Sequence, residues 1–297
     1  MSDLATGDPV ESRQTARHAR LHAREARLKF LVGAVATLVA LFPLAPIVWM
    51  VSTSFKPNSQ VFENPPRLIT DLFSIDAYIA ILSNPVNWTF FANSYMIAGA
   101  VVVLTLLVAV HAAYAFSRYD FPGKSIFKTV IISVQAVPPV TLLIPYFGLI
   151  VFLGLYNTHL GLILTYIVLT LPYAIIMIVS YLDTLPRELD EAVKVDGGGA
   201  LTALWRVLIP IMTPALVSVG VYTFILSWNE FLFALTLTSS DDVRTVPIGI
   251  NLLMGQHAYE WNQVMAMSVL GSLPVVVLFS IFQRFFISGL AAGAVKS

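Results

Sequence analysis

From Thr129 to Leu182 the chain runs for 54 consecutive residues without an aspartate, glutamate, lysine or arginine. As one α-helix this stretch would be about 80 Å long, more than twice the ~30 Å hydrocarbon core of a bilayer. It therefore has to fold back on itself as two spans, and Gly154 to Thr158, with Asn157, supplies the turn. Pro138-Pro139 and Pro145 interrupt the first half, and Pro172 the second. Prolines at membrane depth free backbone carbonyls, which is tolerated only where protein or a cavity re-satisfies them.

The rest of the chain fits the same solvent. Its 57% hydrophobic and 11% charged residues, with mean hydropathy +0.80, exclude a soluble domain of this length. Phe30 to Phe55 has no charge and reads as an uncleaved signal anchor. A mixed loop from Lys56 to about Phe91 leads to a second span near Asn93 to Phe116. A fifth covers about Ile211 to Leu237, and a sixth about Val264 to Phe282, after an outer loop from Asp241 to Asn262. The expected fold is an all-α integral membrane protein of six transmembrane helices: a polar tail over 1–29, a six-span transmembrane domain over 30–284, and a small-residue tail over 285–297. With the N-terminus inside, fourteen Lys and Arg lie in cytosolic segments and three, Lys56, Arg67 and Arg244, in outer loops. That bias places both termini, and the loop after Leu182, in the cytosol.

Chemistry-bearing patterns are few. There is no cysteine, so thiolate nucleophiles and cysteine metal sites are excluded. Gly123-Lys124-Ser125 looks like the end of a phosphate loop, but Arg118 stands where its first glycine is needed and no strand precedes it. His18 and His22 lie four apart with no cysteine ligand, and the arginines around them read as an anchor beside the first span, not a nucleic-acid patch. His111, mid-span, reads as a packing histidine or a proton relay. An ion-coupled secondary transporter would be expected to show inverted repeats or intramembrane ionisable pairs, and only Glu230 and His111 offer themselves. No intramembrane nucleophile or metal constellation points to an enzyme.

The one charged island between apolar runs is Thr184 to Pro214. Thr184 is a candidate N-cap, Pro186 suits a first turn, and Glu188, Asp190 and Glu191 suit the positive end of a helix dipole. Leu185, Leu189, Ala192 and Val193 recur at helical spacing, while Arg187, Glu188, Asp190, Glu191 and Lys194 form the other face. Gly197, Gly198 and Gly199 stop the helix. Leu201, Leu204, Val207 and Leu208 begin a second apolar period that leads to Pro210. Further on, Trp228, Asn229 and Glu230 combine an aromatic face, an amide and a carboxylate, groups that suit a polyhydroxylated solute, although Glu230 could equally pair structurally.

Glu191, Ala192, Val193, Asp196 and Gly197, followed by Val207, Ile209 and Pro210, resemble the EAA loop of ABC importer permeases. Phe121-Pro122-Gly123-Lys124, Trp228-Asn229-Glu230-Phe231, Phe282-Gln283-Arg284 and the run from Gly289 to Lys296 are similar to the MalG-type carbohydrate permeases. Three departures stand out: Val193 replaces the second Ala, Gly198 replaces Ala, and Gly199 stands where a capping Ser or Thr is usual. The resemblance implies a non-catalytic subunit in a bacterial inner membrane, forming the path for a sugar, or for another polar solute such as a polyol or glycerophosphodiester. It implies a second permease subunit, two ATPase subunits that hold ATP and Mg2+, an external sugar-binding protein, and no cofactor or nucleic acid on this chain. Thr184 to Pro210 would be the coupling loop, with Glu191 meeting a cation on the ATPase or, alternatively, pairing with Lys194 on a solvated face. Trp228, Asn229 and Glu230 would line the substrate path, although family members can leave the main contacts to the partner permease.

Single cysteines at Ser59, Ser239 and Thr202 test the topology in intact cells. An impermeant maleimide is expected to label the first two and to reach Thr202→Cys only after permeabilisation; labelling at Thr202→Cys but not at Ser239→Cys would invert the arrangement.

Overall fold

The structure is a computed structural model that describes residues 27–69, 71–256 and 260–294; His18 and His22, with most of the N-terminal tail, lie outside the described residues, whereas the last helix runs on to Ala294 through most of the expected C-terminal tail. Helices dominate, and no strand occurs among the described residues. In chain order we name α1 (Arg27–Ser54), α2 (Asp76–Ser83), α3 (Pro85–Arg118), α4 (Lys124–Gln135), α5 (Leu143–Phe152), α6 (His159–Leu182), α7 (Glu188–Val195), α8 (Ala200–Trp228), α9 (Leu232–Leu237), α10 (Val246–Gln256) and α11 (Trp261–Ala294). Five of them, α1, α3, α6, α8 and α11, are long and apolar enough to cross a membrane.

The first half of the uncharged run is not one straight span. Between α4 and the segment Pro139–Phe152 the axis bends by 99°. Pro138 sits in an extended conformation and Pro139 opens a 3-10 turn, so adjacent residues without N–H groups cannot continue the helical ladder. Pro172, by contrast, is carried inside α6. The turn at Gly154 and Asn157 is where the sequence placed it, and both residues have positive φ, 69° and 56°. The Thr158 side chain then caps α6 by accepting from Gly161 N–H.

Other boundaries moved. The second span begins at Pro85, not Asn93, because Asn84 caps it by accepting from Val86 N–H and Pro85 fits the first turn. The fifth ends at Trp228 instead of reaching Leu237. The loops on either side of these spans contain α2 and α10.

Three buried clusters hold the helices together. One joins α3, α6 and the start of α8 through Ala113, Phe116, Ile178, Leu182, Leu204 and Leu208. A second, at the other end, joins α3, α5, α6 and α9 through Ile97, Ile150, Leu162, Tyr166 and Phe233. The third packs Phe90, Trp228, Val246 and Met267. His111 hydrogen-bonds the Leu107 carbonyl of its own helix and lies beside the Trp205 ring, a packing arrangement.

Polar side chains lock the loop over residues 238–246 to the second cluster. Asn93 donates to the carbonyls of Asp242 and Arg244, at 2.8 and 2.9 Å, while its own carbonyl meets His159 Nε2 at 3.0 Å. Ser94 accepts from Val246 N–H. Asn157 Oδ1 accepts from the N–H groups of Ser239 and Ser240, and Asn157 N–H donates to the Leu237 carbonyl. Asn157 thus supplies both the left-handed corner and the acceptor that holds the loop. Asn157→Ala is expected to lower stability by about 3 kcal/mol, from lost hydrogen bonds and left-handed strain, and Asn157→Gly by roughly half as much. Thermal unfolding in detergent measures this order; alanine tolerated better than glycine would contradict it.

Candidate coupling site

The charged island folds as a helix, a glycine turn and a second helix. Thr184 does not cap α7, since its hydroxyl turns back to the Tyr181 carbonyl at the end of α6. Arg187 is the N-cap, without a side-chain bond, so α7 starts after Pro186 and its first-turn acids carry the N-terminal stabilisation. At the other end Gly197 has φ 79°, Gly197 N–H donates to Lys194 O, and Gly198 N–H donates to Val193 O at 2.8 Å. This pair of bonds around a left-handed glycine is a Schellman C-cap.

Two of the three departures in this loop touch each other. A Cβ on Gly198 would lie 2.5 Å from Val193 Cγ1. The larger side chain at 193 and the missing one at 198 therefore compensate. Gly199 takes an extended conformation and caps α8 without a side-chain bond, as expected from the lack of a hydroxyl there.

From Ala200 the second helix does not stop at Pro210 but continues as α8 to Trp228. Residues Ala203–Leu208 are π-helical, and Ile209 N–H donates to Leu204 O, five residues back. The wider turn lets the chain pass Pro210, which has no N–H to offer, without ending the helix. A change of tilt in α7 therefore meets, past one glycine turn, an unbroken helix of 29 residues.

The expected polar face of α7 divides. Glu191 and Ala192 are exposed, as is Asp196, and Val195 is 86% exposed. Among the described residues no ion pair joins Glu191 to Lys194. Asp190, assigned to the same face, points the other way and is only 6% exposed. Its Oδ2 lies 2.9 Å from Arg118 Nε, and its Oδ1 accepts from the Tyr114 hydroxyl at 2.9 Å. Helical spacing alone could not reveal this, because the partners stand more than 70 residues away on α3. An arginine ending an apolar span was the available signal. Nearby, Ser117 donates to Asp183, Arg118 to the Leu185 carbonyl, and Arg187 to the Ser117 carbonyl. The Phe121-to-Lys124 motif makes the adjoining turn, with Gly123 at φ 87° and Lys124 bonded to Tyr119 O and Asp120. Lys124 holds the Asp120 carboxyl below its usual range.

At the far end of α8 the three candidate path residues take separate roles. Trp228 is buried, donates to the Gly271 carbonyl, and packs against Tyr95 and Phe224. Glu230 caps α9, its two oxygens accepting from Phe233 and Ala234 N–H at 2.9 and 3.0 Å. Asn229 ends α8, is exposed, and bonds Ile225 O. The motif is thus the break between two helices, and of the three only the amide is presented outward.

Gly198→Ala is expected to destabilise the chain by about 1 to 3 kcal/mol through overpacking, and Val193→Ala in the same chain to recover most of that. Thermal unfolding of the two single variants and the double variant measures the coupling; additive effects would show that the contact does not constrain the turn.

Residues 102–291 match the family described as binding-protein-dependent transport system inner membrane component. The sulfoquinovosyl glycerol transport system permease protein SmoH of Agrobacterium fabrum is 35% identical over 91% of this chain and 93% of its own length. The trehalose/maltose transport system permease protein MalG of Thermococcus litoralis is also 35% identical, over 91% of this chain and 97% of its own. A chain in the crystal structure of a bacterial ABC transporter that imports the acidic polysaccharide alginate superposes with TM-score 0.76 and 25% identity, covering 89% of this chain and 98% of that one. This chain therefore belongs to the binding-protein-dependent transport system inner membrane component family, as a multi-pass permease of the ABC importer type.

Proposed function

We propose that this chain is the non-catalytic permease subunit of an ATP-driven importer of a sugar, and that Thr184 to Pro210 receives the ATPase. The observation that carries the reading is the form of that segment: α7 presents Glu191, Ala192 and Val195 outward, turns at Gly197, and is followed by a helix that runs unbroken past Pro210. An exposed carboxylate beside small and apolar side chains suits a charge-assisted contact seated in an apolar cleft. The excess of Lys and Arg on the same side supports a cytosolic location for it and for both termini. ATP and Mg2+ belong on two separate ATPase subunits, a second permease completes the path, and an external binding protein delivers the solute.

The sugar assignment is supported by the substrates named for the relatives, all of them carbohydrates or glycosides. Within this chain Asn229 is the residue left to face the solute. Trp228 and Glu230 shape the helix break that presents it.

Transport by the purified complex in proteoliposomes is expected to require ATP and to persist with ionophores. Glu191→Lys sets like charge against the cation that Glu191 meets, so the complex should lose its ATPase subunits on purification. Full retention of them, with normal uptake, would place the docking contact elsewhere.

A further inference from the structure

Polar contacts tie α3 at both ends, and a buried hydrogen bond between Thr105 and Thr170 ties its middle to α6. At Arg118 the ion pair to Asp190 has side-chain exposures of 7% and 9%, and Tyr114, one turn earlier, bonds the other Asp190 oxygen. Near its start, Asn93 and Ser94 bond three backbone groups of the 242–246 loop, and Asn93 also meets His159. Between these two sets of contacts the helix is unbroken. Glu191 and Asp190 are adjacent acids on an eight-residue helix, yet one faces outward and the other is sealed inside.

A buried ion pair is poor glue, because desolvating two charges offsets most of their attraction. Direction here comes from the bonds around the pair: the Tyr114 hydroxyl donates to Asp190 Oδ1 at 2.9 Å and Arg118 donates to the Leu185 carbonyl, while Arg118 Nε and Asp190 Oδ2 meet at 2.9 Å as opposite charges without hydrogen-bond alignment. We propose that Arg118, Asp190 and Tyr114 form a joint that fixes α7 to α3, and that α3 carries displacement from the ATPase side to the Asn93, Ser94 and His159 lock on the outer loop. This inference rests on the importer reading and names a route by which ATP state would reach the opposite face. On this route the two ends are coupled through one rigid helix whose attachments are both polar and both specific. Arg118, Asp190 and Tyr114 act as positioning residues and touch neither solute nor nucleotide.

The chain has no native cysteine, so Ser239→Cys, beside Asn157 in the outer loop, reports on the lock. Maleimide labelling of that cysteine is measured with and without ATP in the complex purified with its ATPase subunits and binding protein. Asp190→Asn should leave the ATPase subunits bound while the ATP-dependent change in labelling rate falls about fivefold or more. Arg118→Met with Asp190→Leu provides the second variant, since an apolar pair commonly preserves or improves folding at such a site. It too should retain the ATPase subunits and lose the ATP-dependent change. An undiminished change in either variant overturns the joint, because packing alone would then transmit the motion. Loss of the ATPase subunits from a folded variant also overturns it, assigning the pair to docking. A wild-type complex that holds no ATPase subunits and shows no response to ATP would instead overturn the importer reading.

Discussion

Inside a bilayer no water is available for an unpaired backbone group, and this constraint governs where the chain bends. A helix can end there only if its last carbonyls and the next helix's first N–H groups find partners within the protein. The break after Trp228 meets this with a side chain, and turns in the loops outside the apolar runs are closed by the same kinds of bond. At Gly197 the Schellman bonds take up the final carbonyls of α7. At Asn229 the Glu230 carboxylate receives the first free N–H groups of α9. At Asn157 a side-chain amide does the same for the loop at Ser239 and Ser240. Pro210 is the converse case, since a π-helical segment absorbs the missing donor and no break follows.

The polar contacts between distant segments gather mainly at the two ends of the bundle, with the buried Thr105–Thr170 hydrogen bond between α3 and α6 in its middle. At one end the contacts connect α3 to the segment from Asp183 to Asp190. At the other they connect α3 and α6 to the loop before α10. Side-chain packing makes the middle of the bundle cohesive and sets how its helices cross, while the buried hydrogen bonds specify which loop segments meet the helix ends.

In the segment from Thr184 to Pro210, two departures from the EAA pattern meet. Valine at 193 and glycine at 198 depart from the pattern separately, but they face each other across the turn, and the missing side chain at 198 leaves room for the valine. The outward surface at Glu191 and Ala192 is untouched by that exchange. The motif at Trp228 to Glu230 carries a similar lesson. Its residue types suggested a solute path, and its geometry shows first a helix terminus, with an indole in the core, a carboxylate on backbone N–H groups and an amide facing out.

Composition and the length of the uncharged runs were enough to determine a helical membrane protein, the turn at Gly154 to Asn157, and a short amphipathic helix ended by Gly197. These are properties of local chain chemistry: hydropathy over about twenty residues, and the few residues that accept positive φ. The sequence by itself could not assign Asp190 to the interior, since the arginine and tyrosine that hold it lie over 70 residues away and helical periodicity treats it as one more acid on a polar face. Nor could it show that Glu230 is satisfied by backbone, that Pro138-Pro139 bends the chain by 99°, or that α8 runs through Pro210. Those outcomes depend on which groups meet once helices pack, and a buried polar atom takes its role from the partner that folding brings to it.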